Sequence, residues 1–280
     1  MHLAQSLKYF DTKQVRLVEL ANASQSSQAM RNGTVDAAML TLDEVLNLKQ
    51  NGLDLRIVLV MDVSNGADVL MANPSIAKLA DLRGKRVGVE SSAVGAVMLD
   101  AALTTAGLSS TDVQLIPMPV NEHVAAYRDG KLDAIVTFEP SRTELLAQGA
   151  HILFDSSRIP GRIVDVLVVT DEAILNHSKP LSDMVTAHFK ALDYLSKHAQ
   201  DAANRIAPFL QVTADQVLPQ FAGLKLPDLT ENQAQLAGSS PKLISAAVNL
   251  RDLMLKQKLL SRSVLVDQLV DPSFLPPITK

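Results

Sequence analysis

The sequence predicts an α/β fold arranged as two lobes. Short apolar strands alternate with helical runs over the first 170 residues. A unit made of a helix end, a glycine turn, an acidic residue and an apolar strand occurs twice, 97 positions apart: Arg31, Gly33, Asp36 and Ala37 recur as Arg128, Gly130, Asp133 and Ala134. Such a repeat at constant offset indicates two lobes built on one plan.

Composition excludes several classes of protein. A chain of 280 residues with 47% hydrophobic content can bury a large core, and a net charge of -4 gives no basic surface for nucleic acid. The absence of cysteine excludes disulfides, thiolate zinc sites and a cysteine nucleophile. The six histidines lack metal-ligand spacing, so we expect no metal and no cofactor. No run reaches the roughly 18 apolar residues of a membrane span, and residues 1–7 do not resemble a signal peptide.

The first lobe is predicted from alternating short segments. We expect helices at His2–Tyr9 and Ala23–Met30, and strands at Gln14–Leu20, Ala37–Leu40 and Leu55–Asp62. The first strand thus follows a helix, where an α/β domain more often begins with a strand.

The second lobe centres on a strand, a small polar turn and a helix. Arg86–Glu90 reads as a buried strand, Ser91 and Ser92 follow, and an apolar helix begins at Ala93. The amides of such a turn and the positive end of the helix dipole favour an anion. The alternative is an ordinary capped helix with nothing bound.

Further strands and helices complete both lobes. We expect strands at Val113–Ile116, Ala134–Thr137 and Ile163–Thr170, and amphipathic helices at Pro180–His198 and Pro241–Leu260. We assign residues 1–66 and 165–280 to lobe one and residues 67–164 to lobe two. The two near-extended crossings between the lobes form a hinge.

Candidate ligand-binding residues follow from these placements. Thr41 and Thr137 end equivalent strands, where open α/β sheets bind ligands, although threonine is also an ordinary strand residue. Ser24 and Gln25 open a helix in lobe one at the place equivalent to Ser91 and Ser92, and the alternative is a plain cap.

Charged candidates lie close to the strand ends and the crossings. Glu139 follows Thr137 and could face the ligand or form a surface pair with Arg142. Asp62 and Asp165 adjoin the crossings and could instead bond hinge backbone. Arg162 is the most attractive partner for an anion by charge, but an arginine after Pro-Gly is often solvated.

Several motifs together resemble a known family. DVSNGADVLMANPSIAKLADLRGKRVGVE, RDGKLDAIVTFEP and LFDSSRIPGRIVDVLVV are similar to the solute-binding proteins of ABC importers, in the sulfonate, nitrate and taurine branch that also includes thiamine-pyrimidine binders. The resemblance implies a type II periplasmic-binding-protein clamshell with C-terminal helices and a ligand in the interlobe cleft. It further implies a monomer in the periplasm that delivers its ligand to an inner-membrane ABC permease and catalyses nothing.

The sequence also departs from this pattern at its start. In the family a signal peptide, a first strand and a ligand-contacting loop precede the helix that here reads SLKYFD. We therefore expect Met1 to lie inside that helix, and lobe one to lack a central strand and to be the less stable lobe.

The ligand and two other classes of function stay open. Hydroxyls and amides suit a sulfonate or nitrate, while Asp62 and Glu139 also suit an amine, as in taurine. A pyrimidine-precursor binder or biosynthetic enzyme of the same fold, or a ligand-sensing domain, is the alternative. An enzyme would need a nucleophile and a base, and the sequence shows no clear pair of this kind. A transcription regulator would need a basic recognition helix, which the sequence does not show.

Overall fold

The computed structural model describes residues 1–90 and 93–278, and the chain divides into two compact units. Unit 1 comprises Met1–Leu20, Gln25–Val63 and Val164–Lys280, and unit 2 comprises Ala21–Ser24 and Ser64–Ile163. Each unit has its own sheet. The predicted α/β class is therefore confirmed.

The strands are short and mostly buried. In chain order they are β1 (Ala37–Thr41), β2 (Leu55–Ser64), β3 (Val69–Ala72), β4 (Arg86–Val89), β5 (Gln114–Pro117), β6 (Ala134–Thr137), β7 (His151–Asp155), β8 (Val164–Thr170) and β9 (Leu224–Lys225).

Helices connect these strands and form the C-terminal part of the chain. They are α1 (His2–Ser6), α2 (Ala23–Arg31), α3 (Leu42–Gln50), α4 (Ala93–Thr105), α5 (His123–Arg128), α6 (Ser141–Ala147), α7 (Asp171–Lys197), α8 (Ala199–Leu210), α9 (Ala214–Gln220), α10 (Leu229–Leu236) and α11 (Lys242–Lys256). Across the described residues, none of these helices is both long and apolar enough to span a membrane.

The sheet of unit 2 has five strands in the order β5-β4-β6-β3-β7. β4 runs parallel to β5 and β6, and β3 runs antiparallel to β6 and β7. Helix α4 packs on β3 and β6. Because β6 lies inside the sheet and beneath a helix, all four of its residues are buried.

The sheet of unit 1 has four strands in the order β1-β8-β2-β9, and β8 runs antiparallel to both of its neighbours. Apolar residues of β2, β8 and α7 form one core cluster, and residues of α1, α7 and α8 form a second. In this strand order β1 is an edge strand of the described sheet.

The predicted repeat is present in the backbone of both units. Gly33 and Gly130 each follow a helix with φ near +65°, a conformation that favours glycine. Gly33 donates its N–H to Met30, and Gly130 donates to Tyr127, the residue 97 positions after Met30. Two helix ends of the same geometry thus precede β1 and β6.

The prediction of a strand at Gln14–Leu20 is wrong, since residues 15–20 pair with no strand in the described part of the chain. Their counterparts at an offset of 97 include β5, which pairs only with β4. A strand forms only where a neighbour accepts its ladder of hydrogen bonds. Unit 1 has no described strand in the position that β4 holds in unit 2.

The predicted long helix at Pro180–His198 is present but begins earlier. Helix α7 begins at Asp171 and has a break at His177, whose φ and ψ are -132° and 29°. Pro180 follows within one turn of the break, because proline cannot donate the backbone hydrogen bond that would continue the first turns.

Candidate functional site

In unit 1 the candidate site is a row of three polar side chains on neighbouring strands. Thr41 at the end of β1 lies opposite Asp165 of β8, and Asp165 lies opposite Asp62 of β2. Residues directly opposite in antiparallel strands carry their side chains on the same face. All three residues are half-buried.

Thr41 is held in place by its backbone while its hydroxyl stays without a hydrogen-bond partner among the described residues. The Thr41 N–H donates to Oε2 of Glu44 at 3.0 Å, and this bond anchors the first turn of α3. The Thr41 Oγ1 atom is buried. A buried hydroxyl of this kind is able to bond a polar ligand atom.

Carboxylates dominate the surroundings of Thr41. Asp43 and Glu44, in the first turn of α3, are buried. Asp165 lies opposite Thr41, and Asp62 lies opposite Asp165 on the next strand. The helix N-terminus stabilises the first two carboxylates.

Asn232 of α10 fixes the strand that carries Asp62. Its side chain accepts from the Val60 N–H at 2.7 Å and donates to the Val60 carbonyl at 3.1 Å. The pairing of β2 with β8 shifts register between Val60 and Asp62, so the backbone of Val60 bonds to Asn232 beside this irregularity. The sequence analysis missed this buried asparagine, since its partner is 172 positions away in the chain.

In unit 2 the predicted strand and helix are present as β4 and α4, while the predicted turn at Ser91 and Ser92 lies outside the described residues. Gly95 in the first turn of α4 permits a close approach to β4. A Cβ at Gly95 would lie 2.5 Å from Cγ2 of Val89 and 3.0 Å from the carbonyl oxygen of Glu90. The role of the two serines as amide donors to an anion stays a prediction.

Thr137 ends β6 as expected, but its hydroxyl points inside unit 2. Thr137 and His123 are each 1% exposed, and Oγ1 of Thr137 lies 3.1 Å from Nδ1 of His123. Burial lowers the pKa of His123 to about 4, against a smaller opposite effect of the Met118 carbonyl. His123 is therefore neutral at physiological pH. A ligand contact by Thr137 stays a prediction.

Glu139 is mostly enclosed and already has partners in unit 2. Its Oε2 accepts the Thr143 N–H at 3.1 Å, and its Oε1 lies 3.9 Å from Nε of Arg142. Arg142 also donates from Nη1 to the Gly66 carbonyl at 3.2 Å. The pair proposed from sequence is therefore present, and the exposed ring of Phe138 precedes it.

The other predicted site residues are at the surface. Ser24 and Gln25, at the start of α2, are exposed, and so is Arg162. Contacts of these three residues with a ligand stay predictions. Among residues 1–90 and 93–278 no cluster of His, Cys, Asp or Glu has the arrangement of a metal site.

Fold and sequence together define the class of this chain. Two α/β units with separate sheets form the periplasmic-binding-protein fold. The alkanesulfonate-binding protein SsuA of Xanthomonas axonopodis, solved with MOPS, superposes with a TM-score of 0.80 over 96% of this chain and 93% of its own, at 19% identity. Residues 2–210 match the NMT1-like family, and the chain belongs to it.

Curated relatives are about a quarter identical to this chain over the aligned residues. A Brucella abortus protein named as a binding protein is 25% identical over 150 residues, which is 52% of this chain and 47% of the relative. An Escherichia coli protein named for binding aliphatic sulfonates is 27% identical, over 51% of this chain and 45% of the relative. The chain thus spans about half the length of these relatives.

The similar proteins also include a relative named for biosynthesis and a solved structure named as an enzyme. A Haemophilus influenzae protein named for thiamine biosynthesis is 26% identical over 71% of this chain and 65% of the relative. The desulfurization enzyme DSZB shares the fold with a TM-score of 0.67, over 98% of this chain and 93% of its own, at 18% identity.

Proposed function

We propose that this protein is the substrate-binding component of an ABC importer, and that it captures a small solute with an amino group and an acidic group. An aminoalkanesulfonate such as taurine is the expected class. The row of Thr41, Asp165 and Asp62 carries this proposal, because it presents two carboxylates and a hydroxyl on one face. The names of the Brucella abortus and Escherichia coli relatives support a binding role and a sulfonate.

Each end of the ligand has its own proposed partners. The carboxylates of Asp62 and Asp165 accept hydrogen bonds from the amino group, and such charge-assisted bonds are stronger than neutral ones. Ser91 and Ser92 are kept as separate proposed donors of backbone amides to an acidic group. Binding without catalysis is favoured by the sequence, which offers no cysteine nucleophile.

The cellular setting follows from the same proposal. The ligand passes to an ABC permease in the inner membrane, and the protein works as a monomer in the periplasm. Names of the solved relatives support this setting, since one of them is the periplasmic aliphatic sulphonate binding protein SsuA from Escherichia coli.

Isothermal titration calorimetry with taurine and ethanesulfonate tests the proposal. These two ligands share the sulfonate and differ in the amino group, so we expect tighter binding of taurine. Asp165→Asn weakens taurine binding by about tenfold or more, the equivalent of one charge-assisted hydrogen bond at 1.5–3 kcal/mol, and leaves ethanesulfonate binding nearly unchanged.

Two controls make the calorimetry decisive. Asp215→Asn, an exposed carboxylate of α9, is expected to leave both affinities unchanged. Binding of an aminopyrimidine in place of both sulfonates favours the pyrimidine-precursor alternative. Equal affinities of taurine and ethanesulfonate for the unaltered protein contradict the role of the carboxylates.

A further inference from the structure

A cavity of about 450 Å³ lies within unit 2 and is within the size range of small-molecule sites. It is lined by residues 77–80, which follow β3, by Thr105 and Ala106 at the end of α4, by residues 151–153 of β7, and by Arg158. His151 pairs with Ala72 at one end of β3, whereas Thr137 pairs with Val69 at the other end. The part of β7 that lines the cavity thus begins at the end of the sheet remote from Thr137.

A β-bulge in the edge strand β7 shapes one wall of the cavity. Leu70 of β3 pairs with Phe154. The next residue of β3 pairs with Ile152, so Leu153 is the extra residue of the bulge. Successive side chains of a regular strand face opposite sides, but Ile152 and Leu153 both line the cavity, and both are half-buried. Bulges redirect side chains in this way beside binding sites.

The charged side chains of the cavity are cationic. Lys78 and Arg158 line it together with the imidazole of His151, and the lining residues within the described chain include no carboxylate. The ion pairs among residues 1–90 and 93–278 involve neither Lys78 nor Arg158. Two nearby carboxylates are bonded to backbone instead: Asp81 accepts the Lys78 N–H at 3.2 Å, and Asp155 accepts the N–H two residues further on at 2.9 Å. The charge of the cavity therefore favours an anion.

Arg158 is exposed but held in position by its surroundings. Its guanidinium lies 4.7 Å from the ring centre of the buried Phe154, a cation–π contact. The turn Ser156–Arg158 is anchored by the fully buried Ser156, whose N–H donates to the Asp68 carbonyl at 2.9 Å and whose hydroxyl accepts the Gly66 N–H at 2.7 Å. An arginine placed in advance loses less conformational entropy on binding a ligand than a freely rotating one.

The remaining lining favours an apolar ligand body and sets its orientation. Aliphatic side chains form this surface: Ala77, Leu79, Ala80, Ala106, Ile152 and Leu153. Alanines fill little space, so a planar ring has room to pack against the bulge. The end of α4 at Thr105 is the negative end of the helix dipole, which disfavours an acidic group there. The acidic group is therefore assigned to the side of Lys78 and Arg158.

We propose that this cavity binds a small aromatic acid, meaning an arene that carries a carboxylate or a sulfonate group. Its ring packs on Ile152 and Leu153, and its acidic group bonds to Lys78 and Arg158. All of these residues belong to unit 2. The proposal is thus independent of the candidate site in unit 1 and of the function proposed for it.

A titration with 2-naphthoate locates the site, followed by proton–carbon NMR of protein labelled in its isoleucine methyl groups. We expect the signal of Ile152 to shift, while that of Ile57, fully buried in the sheet of unit 1, stays in place. The Ile152→Val variant lacks the first signal and so assigns it. 2-Naphthylmethylammonium has the same ring and the opposite charge, and it is expected to cause no shift.

Two double variants with the same change in net charge test the cations. Lys78→Gln combined with Arg158→Gln weakens 2-naphthoate binding about fivefold or more, because both partners of the acidic group are removed. Arg128→Gln combined with Lys131→Gln removes two exposed cations elsewhere in unit 2, and we expect it to leave the Kd nearly unchanged. All four side chains are exposed, so both double variants are expected to keep the Tm of the unaltered protein.

Several outcomes would overturn the proposal. They are an unshifted Ile152 signal, equal binding of the ammonium ligand, and equal weakening in the two double variants. Displacement of 2-naphthoate by taurine would also overturn it, since both ligands would then share one site. Undiminished binding of 2-naphthoate by Asp165→Asn supports a site separate from unit 1.

Discussion

At the residue scale, the buried pair of His123 and Thr137 makes stability depend on pH. The folded protein keeps His123 neutral, with a pKa of about 4, while in the unfolded chain the pKa is near 6.5. Protonation therefore favours unfolding, and stability is lost as the pH falls from about 6.5 to 4. The difference of about 2.5 pKa units corresponds to about 3 kcal/mol at the acidic end.

We expect His123→Asn to remove this part of the pH dependence. The Tm of the variant declines less between pH 6.5 and 4 than the Tm of the unaltered protein, as measured by circular dichroism. His188, whose pKa burial lowers to about 3, is present in both proteins and cancels in the comparison. If the Tm falls equally with pH in the two proteins, His123 is not the source of this pH dependence.

A second residue-scale prediction concerns Asn232. Asn232→Leu removes both bonds to the backbone of Val60 and leaves a buried N–H and carbonyl unsatisfied. We expect a loss of about 2–4 kcal/mol in the free energy of unfolding, measured with urea. Asn32→Leu is the control, because Asn32 is exposed and its side chain accepts a hydrogen bond from the exposed Gln28. A loss below 1 kcal/mol would show that the bonds to Val60 contribute little.

Local patterns in the sequence identified some site residues and missed others. Thr41 and Thr137 are recognisable as candidates because each ends an apolar strand, and strand ends are visible in a single sequence. Asn232, and the position of Asp165 between Thr41 and Asp62, depend on pairing between distant segments. No short-range pattern contains that pairing.

At the element scale, the contact between β4 and α4 rests on a glycine. Gly95→Ala brings a Cβ to 2.5 Å from Val89 and 3.0 Å from the backbone of Glu90, so the helix must shift away from the strand. Overpacking of this kind costs about 1–3 kcal/mol, which outweighs a gain of about 1 kcal/mol in helix propensity. We expect a lower Tm and weaker binding of sulfonates.

Gly88→Ala separates the effect on Tm from the effect on sulfonate binding. Its Cβ would meet the end of the Leu132 side chain at 2.6 Å, away from the start of α4. We expect a lower Tm with little change in sulfonate affinity. If both variants weaken binding to the same extent, the position of α4 is not what sets the affinity.

Some elements of the fold can be predicted from local sequence patterns alone. Helix ends with glycine turns were predictable in both copies of the repeat, since a positive φ after a helix selects glycine. The strand predicted at Gln14–Leu20 has the right alternation but no partner strand in the described part of the chain. Alternation reports which side chains turn inward, whereas a strand requires a neighbour that local sequence does not specify.

At the scale of the whole molecule, the two units share one plan, but the equivalent strands β1 and β6 differ in how far neighbouring strands cover them. Among the described residues, unit 2 has five strands with β6 inside its sheet, and unit 1 has four strands with β1 at an edge. Equivalent hydrogen bonds join Gly33 to Met30 and Gly130 to Tyr127 ahead of these strands. The repeat therefore supplies an internal comparison in which the local geometry is constant and only the surroundings differ.

We expect the amides of β1 to exchange hydrogen faster than those of β6 in the same protein under the same conditions. Exchange requires local opening, and a strand with one neighbour and an exposed face opens at lower cost than a strand covered on both edges. Hydrogen–deuterium exchange followed by mass spectrometry of peptides covering residues 37–41 and 134–137 measures the exchange of both strands in one experiment. The pair of glycine turns at Gly33 and Gly130 serves as the control, because both turns have the same geometry and are expected to exchange alike. Equal protection of β1 and β6 would mean that the edge of β1 is covered in solution.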